Sequence, residues 1–137
     1  MRKTALLASL LISLSIPTTA VAATPIPKPC QKYVDMAIKV GFKRHELPEL
    51  FRLAYRESRC IPGNIGRNRN MFGQVTSQDW GLLQVNDSSW LRYLRDRNII
   101  DKKEQLLNPR KNLVSALALV RYSEKEGLNK WYQWRTA

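Results

Sequence analysis

The chain of 137 residues is long enough for one ordinary domain and too short for two. It carries 23 Lys and Arg against 11 Asp and Glu, and its net charge of +12 is typical of proteins that bind an anionic polymer or surface. The single histidine, His45, argues against a histidine-based metal site or a Ser-His-Asp triad, because no second histidine or free cysteine is expected to act with it. We therefore expect neither a metal ion nor a cofactor.

The N-terminus has the three-part pattern of a secretory signal peptide. Arg2 and Lys3 precede the apolar stretch ALLASLLISLSI, and the small residues of AVAA follow it. An uncleaved N-terminal anchor is the alternative. We predict a signal peptide over residues 1–23, a proline-rich leader over 24–29 and one domain over 30–137, in a protein that is secreted and is periplasmic or extracellular.

The two cysteines, Cys30 and Cys60, are an even pair without the spacing of a metal site. In an oxidising compartment such a pair predicts a disulfide. Two buried free thiols are the alternative.

Apolar periodicity predicts two helices in the first half of the domain. The first covers residues 31–40 and ends at Gly41, and the second runs from Leu47 or Pro48 to about Cys60, ahead of Pro62. Residues 63–74 are rich in Gly and Asn and predict a loop that leads into a small hairpin. We expect the hairpin strands at 74–76 and 80–85, with Ser77, Gln78 and Asp79 near the turn.

Two further helices are predicted in the second half. One begins near Asp87 or Ser88, and the other begins at Asn108-Pro109, a cap followed by proline, and ends at Gly127. These elements predict an α+β domain that is mainly α, with one small β-hairpin beside the second helix.

Glu57 stands out on the second helix because it extends the apolar stripe of Leu47, Leu50, Phe51 and Ala54. Burial and the negative end of the helix dipole would both favour its protonated form, which a general acid needs. Full solvation, or pairing with a neighbouring arginine, is the alternative.

An aspartate in a hairpin after a helix-end glutamate is the layout of a two-carboxylate glycosidase. Asp79 fits this layout, although turn chemistry alone also accounts for it. Gln84 and Asn86, two apart on a predicted strand, would face the same way and could bind sugar hydroxyl or N-acetyl groups. Four tryptophans could stack on a sugar or fill the core: Trp80, Trp90, Trp131 and Trp134.

The segment AYRESRC, followed by NRNMFGQVTSQDWGLLQVNDSSW, resembles the catalytic segment of c-type lysozymes. GLNKWYQWR resembles the lysozyme segment that supplies the tryptophan beside the catalytic acid. The Glu-Ser and Gly-Leu-x-Gln pieces, together with LLNPRKNLVSALALV, are similar to the soluble lytic transglycosylases of the SLT type. The chain has fewer cysteines than c-type lysozymes and a longer gap between Glu57 and Asp79.

This resemblance, over residues 47–135, implies a lysozyme-like fold. It implies that Glu57 is the catalytic acid and Asp79 the second carboxylate. It also implies that Gln84, Asn86 and Trp131 line the cleft, and we assign Trp80, which follows Asp79, to the same substrate-binding set.

We therefore predict a secreted muramidase that hydrolyses the β-1,4 bond between N-acetylmuramic acid and N-acetylglucosamine. The expected partners are peptidoglycan glycan strands and the anionic cell-wall surface, with no nucleic acid, and we expect a monomer. One alternative is a lytic transglycosylase that forms 1,6-anhydro ends. Another, of a different class, is a non-catalytic cationic protein that binds the cell wall or acts as an antimicrobial.

Overall fold

Four α-helices and a three-stranded antiparallel sheet make up the part of the chain that the structure describes. The computed structural model describes Ala22 and residues 24–135. In chain order the elements are α1 (Val34–Val40), α2 (Leu47–Ser58), β1 (Ile65–Arg69), β2 (Val75–Trp80), β3 (Val85–Asn86), α3 (Asp87–Asp96) and α4 (Pro109–Lys125), with short 3₁₀ segments at Lys28–Tyr33, Arg44–Glu46, Lys103–Leu107 and Tyr132–Trp134. The predicted α+β, mainly α architecture is confirmed.

The predicted signal peptide, residues 1–23, lies outside the described residues apart from Ala22. Within the described residues, no helix combines the length and the apolar character needed to cross a membrane.

The helix α2 ends earlier than its sequence indicates. Pro48 lies in the first turn, as predicted. The helix ends at Ser58 because Arg59 and Cys60 both adopt left-handed backbone angles, with φ of 56° and 58°. The predicted end at Cys60, ahead of Pro62, is therefore two residues too late.

A disulfide joins Cys30 to Cys60, with 5.3 Å between the Cα atoms. It ties the 3₁₀ segment Lys28–Tyr33 to the turn after α2, and both cysteines are buried. The predicted disulfide is confirmed, and the alternative of two free thiols is wrong.

The predicted hairpin is wrong in its strands and in its turn. Residues 65–69, expected in a loop, form β1, and residues 77–79, expected near a turn, lie inside the continuous strand β2. The turn falls at residues 70–74, where Asn70 Oδ1 accepts hydrogen bonds from the backbone N–H groups of Phe72 and Gln74, both at 3.0 Å. The error arose because β1 is half exposed and polar, so that pairing with β2 decides its conformation rather than its own pattern.

Both later helices begin at asparagine caps. Asn86 Oδ1 accepts the N–H of Ser89 at the start of α3, and Asn108 Oδ1 accepts the N–H of Lys111 at the start of α4, both at 3.0 Å. Both predicted helix starts are confirmed, although the sequence identified the cap only at Asn108 and assigned Asn86 to the preceding strand.

Asn112 is a fully buried polar side chain at the centre of the core, on the face of α4 that also carries Leu113 and Ala116. Its Nδ2 donates to the carbonyls of Trp80 (2.8 Å) and Leu106 (2.9 Å), and its Oδ1 accepts the N–H of Leu83 (2.9 Å). The side chain thereby fixes the cleft turn, residues 80–84, against α4.

Gly81 permits this close packing. A Cβ atom there would lie 2.2 Å from the Leu106 carbonyl oxygen and 2.4 Å from Asn112 Nδ2, and its φ is +75°. Only glycine meets both requirements.

We expect Asn112→Ala to lower the free energy of unfolding by at least about 3 kcal/mol, because it leaves buried backbone groups unpaired at about 1–3 kcal/mol each. Urea denaturation monitored by circular dichroism measures the change. Ser115→Ala is the matched control, since buried Ser115 donates only to the Lys111 carbonyl within its own helix. Equal losses in the two variants would contradict the role given to Asn112.

Candidate active site

An open cleft of about 510 Å³ lies between the end of α2, the sheet and the C-terminal segment, which we define as residues 128–135. Residues of α3 and α4 also contribute to its lining. Its lining residues are Arg56, Glu57, Asn68, Asp79, Gln84, Val85, Asn86, Trp90, Leu119, Gln133, Trp134 and Arg135. Four of the predicted site residues are among them: Glu57, Asp79, Gln84 and Asn86.

Glu57 lies in the last turn of α2, and its side chain is 26% exposed. The Arg56 guanidinium donates to Glu57 Oε1 from Nε (3.0 Å) and Nη2 (2.5 Å). Arg56 also donates to the Trp134 carbonyl. Glu57 thus lines the cleft, as expected for a general acid. It also pairs with a neighbouring arginine, as the alternative interpretation predicted.

Asp79 lies within β2, where it pairs with Gly66 on one side and with Asn86 on the other. Asn68 Nδ2 donates to Asp79 Oδ2 and Asn86 Nδ2 donates to Asp79 Oδ1, both at 2.8 Å. Because an ionised carboxylate only accepts hydrogen bonds, two amide donors suit it well. The carboxylate of Asp79 is therefore held in a fixed orientation in the same cleft as Glu57.

Gln84 lies in the cleft turn with a φ of +47°, and it does not lie on a strand with Asn86 as the sequence suggested. Its Nε2 donates to the carbonyls of Asn64 (3.1 Å) and Gly81 (3.0 Å). Its Oε1 lies so close to Gly66 that a Cβ atom there would be 2.8 Å away. Glycine in β1 therefore makes room for Gln84 in the cleft.

Ser58, the residue after Glu57, holds the cleft turn from the side opposite Asn112. Its buried hydroxyl lies 2.8 Å from the Leu82 carbonyl oxygen and 3.1 Å from that of Ala54. Of the Glu-Ser pair, Glu57 thus lines the cleft, and Ser58 fixes the cleft turn that forms the opposite wall.

The two tryptophans of the C-terminal segment have different places. Trp134, which the sequence did not single out, lines the cleft beside Glu57 and Arg56. It is buried, and its Nε1 donates to the Leu83 carbonyl at 2.7 Å. Trp131 lines a neighbouring cavity and packs edge-on against Trp134, with 6.3 Å between ring centroids.

Trp80 is a core residue and is not among those that line the cleft. Its Nε1 donates to Asp87 Oδ2 at 3.3 Å, and Asp87 also accepts from the N–H of Gln78 and from Lys103 Nζ. Burial opposes ionisation of Asp87, but these three hydrogen bonds together hold its pKa below the usual range. Trp80 therefore contributes to packing between β2 and α3.

A buried carboxylate anchors the C-terminal segment by charge. Glu46, only 2% exposed, accepts hydrogen bonds from Arg121 at 2.8 and 3.0 Å and from Lys130 at 3.0 Å. The bonds from Arg121 outweigh the effect of burial, and with those from the Lys43 N–H and Lys130 they lower the pKa of Glu46 to about 2. Because Lys130 directly precedes Trp131, this cluster fixes the approach of the segment to the cleft.

Among the residues that the structure describes, no group of three or more His, Cys, Asp or Glu side chains is arranged to hold a metal ion.

Comparison with protein families matched residues 37–137 to the Transglycosylase SLT domain. This match covers α2, the sheet, α3, α4 and the C-terminal segment. Comparison with curated proteins and with solved structures gave no match.

We expect Glu46 to make the stability of the domain dependent on acid pH. Because the pKa of Glu46 is about 2 in the folded chain against 4.5 for the free group, its ionisation stabilises the fold by about 3 kcal/mol, and this contribution is complete above pH 4.5 and lost as the pH falls through about 2. The free energy of unfolding of the wild type should exceed that of Glu46→Gln most at pH 6, with the difference shrinking towards pH 2. A difference that does not change with pH would contradict this assignment.

Proposed function

Because the chain belongs to the Transglycosylase SLT domain family and is therefore a lytic enzyme of peptidoglycan, we propose that it is a muramidase that hydrolyses the β-1,4 bond between N-acetylmuramic acid and N-acetylglucosamine. The observation that carries the proposal is the presence of two carboxylates, Glu57 and Asp79, in one cleft. Family membership is inconsistent with the alternative of a non-catalytic wall-binding protein.

In this proposal Glu57 is the general acid that donates a proton to the glycosidic oxygen. The Arg56 guanidinium donates two hydrogen bonds to Glu57 Oε1, so this pairing has to loosen before Glu57 can give a proton to the glycosidic oxygen. When the pairing with Glu57 loosens, the Arg56 guanidinium can keep its hydrogen bond to the Trp134 carbonyl.

Asp79 is proposed as the second carboxylate, which stabilises or attacks the oxocarbenium-like centre that forms when the bond breaks. This role needs a carboxylate held in a fixed orientation. The amides of Asn68 and Asn86 provide this, because they donate to separate oxygens of Asp79.

Substrate contacts are proposed for Gln84 through its amide oxygen and for Trp134 through its ring. Asn86 is proposed to act at the substrate by orienting Asp79, because its amide already binds Asp79 and caps α3.

The resemblance of the sequence to lysozymes assigned the cleft tryptophan to Trp131, but Trp134 and Trp90 line the cleft with Glu57, and Trp131 does not. We propose a role for Trp131 in the neighbouring cavity and a packing role for Trp80.

The proposed location is outside the cytoplasm, where the disulfide is stable and peptidoglycan is accessible. The net charge of +12 would concentrate the protein on an anionic wall, and added salt would weaken that attraction. We propose that the signal peptide over residues 1–23 directs this export and that the enzyme acts as a monomer.

Glu57→Gln is expected to lower the rate of peptidoglycan lysis by roughly 10²–10⁴-fold, because the amide cannot donate the proton that a general acid supplies. The turbidity of a suspension of purified cell walls measures lysis, and thermal unfolding shows that the variant is folded. Glu104→Gln is the matched control, since Glu104 is exposed and lines neither the cleft nor the neighbouring cavity. Substantial lysis by Glu57→Gln would eliminate Glu57 as the acid.

The second candidate reaction is lytic transglycosylation, which the family match favours. Here the C6 hydroxyl of the muramic acid attacks its own anomeric carbon, and the C1–O4 bond breaks as Glu57 protonates the leaving oxygen. The carboxylate of Glu57 then takes the proton of the hydroxyl, and no second carboxylate is needed.

Mass spectrometry of digested peptidoglycan distinguishes the two reactions. Hydrolysis gives reducing ends, whereas transglycosylation gives 1,6-anhydro ends, which are lighter by one water. We expect reducing ends from the wild type and a loss of at least about a hundredfold in Asp79→Asn, which keeps the shape of the side chain but removes its charge. Anhydro products from the wild type, together with near-normal activity in Asp79→Asn, would show that the reaction is transglycosylation and not hydrolysis.

A further inference from the structure

A second cavity of about 360 Å³ adjoins the cleft on the side of α2. The two share Arg56, Trp134 and Arg135, so that a molecule bound in the cleft can extend into the second cavity. Its remaining lining residues are Glu49, Arg52, Leu53, Asn129 and Trp131.

The second cavity is strongly cationic. It contains three arginines, Arg52, Arg56 and Arg135, against the single acid Glu49. Arg52 binds Glu49 through two hydrogen bonds of 2.6 and 2.7 Å, but both side chains remain well exposed. Arg135 forms no ion pair with any residue that the structure describes. Arg56 is paired with Glu57, so Arg135 can take an anion directly, and Arg52 can do so at the surface once its pairing with Glu49 loosens.

The arginines of the second cavity suit a carboxylate. A guanidinium group presents parallel N–H donors that match the two oxygens of a carboxylate. Trp131 and Leu53 add apolar surface beside the arginines, which suits a ligand that carries small aliphatic groups between its carboxylates.

We propose that the second cavity binds carboxylates of the stem peptide that peptidoglycan carries on its muramic acid residues. The proposal rests on the proposed function, because the sugar that bears the peptide has to occupy the cleft. Arg52 and Arg135 are the specificity residues, and they make the enzyme cleave peptide-bearing strands faster than bare glycan.

The test compares kcat/KM on three substrates. These are soluble glycan strands with intact stem peptides, the same strands with the peptide carboxyl groups amidated, and strands stripped by an amidase, which carry only the lactyl carboxylate of muramic acid. The wild type should prefer the first substrate, and Arg52→Gln should lose about tenfold on it and less than twofold on the other two. Arg135→Gln, whose residue also lines the cleft, should lose more on the first substrate than on the other two.

Arg110→Gln is the matched control because it removes the same charge from an exposed site that lines neither the cleft nor the second cavity. It should keep the substrate preference of the wild type. Arg56 is left unchanged, since it contacts Glu57.

Three outcomes would overturn the proposal. Equal losses on all three substrates would mean general attraction by charge, losses on stripped strands alone would assign the cavity to the lactyl carboxylate, and no loss would mean that the arginines do not bind substrate. In each of these cases the wild type still cleaves glycan, and the proposed function stands. A wild type that cleaves none of the three substrates would instead overturn the proposed function.

Discussion

The amide of Asn112 fixes the turn on which the candidate active site depends. Its three hydrogen bonds join α4 to the carbonyls of Trp80 and Leu106 and to the N–H of Leu83. Asp79 directly precedes this cleft turn, residues 80–84, and Gln84 is its last residue. Because Ser58 contacts the same turn from α2, the position of Glu57 relative to Asp79 also depends on this buried polar contact.

Two kinds of interaction hold the two walls of the cleft. The wall formed by the turn is held by neutral hydrogen bonds in a dry core, and these do not change with pH in the range where proteins stay folded. The wall formed by the C-terminal segment is anchored by the charges of Glu46, Arg121 and Lys130. Protonation of Glu46 at low pH therefore weakens the anchor of the tryptophan side of the cleft.

The sequence predicted those features whose causes are local. The start of α4 was located correctly because Asn108 caps a residue three positions later. The strand β1 was missed because Gly66 acquires its role only by pairing with Asp79, and Glu46 was missed because its partners lie 75 and 84 residues away. The sequence around Trp131 is similar to that around Trp134, so local sequence does not distinguish the two. Only Trp134 makes the distant contacts with Leu83 and Arg56.

The wide spacing of the cleft residues has a consequence for the order of folding. Glu57 and Trp134 are separated by most of the domain, and the contact between Arg56 and Trp134 spans 78 residues. Closing a loop of this length costs more chain entropy than forming a local contact, so we expect the contact between Arg56 and Trp134 to form after the local ones. The wall formed by the C-terminal segment would then be the last part of the cleft to be completed.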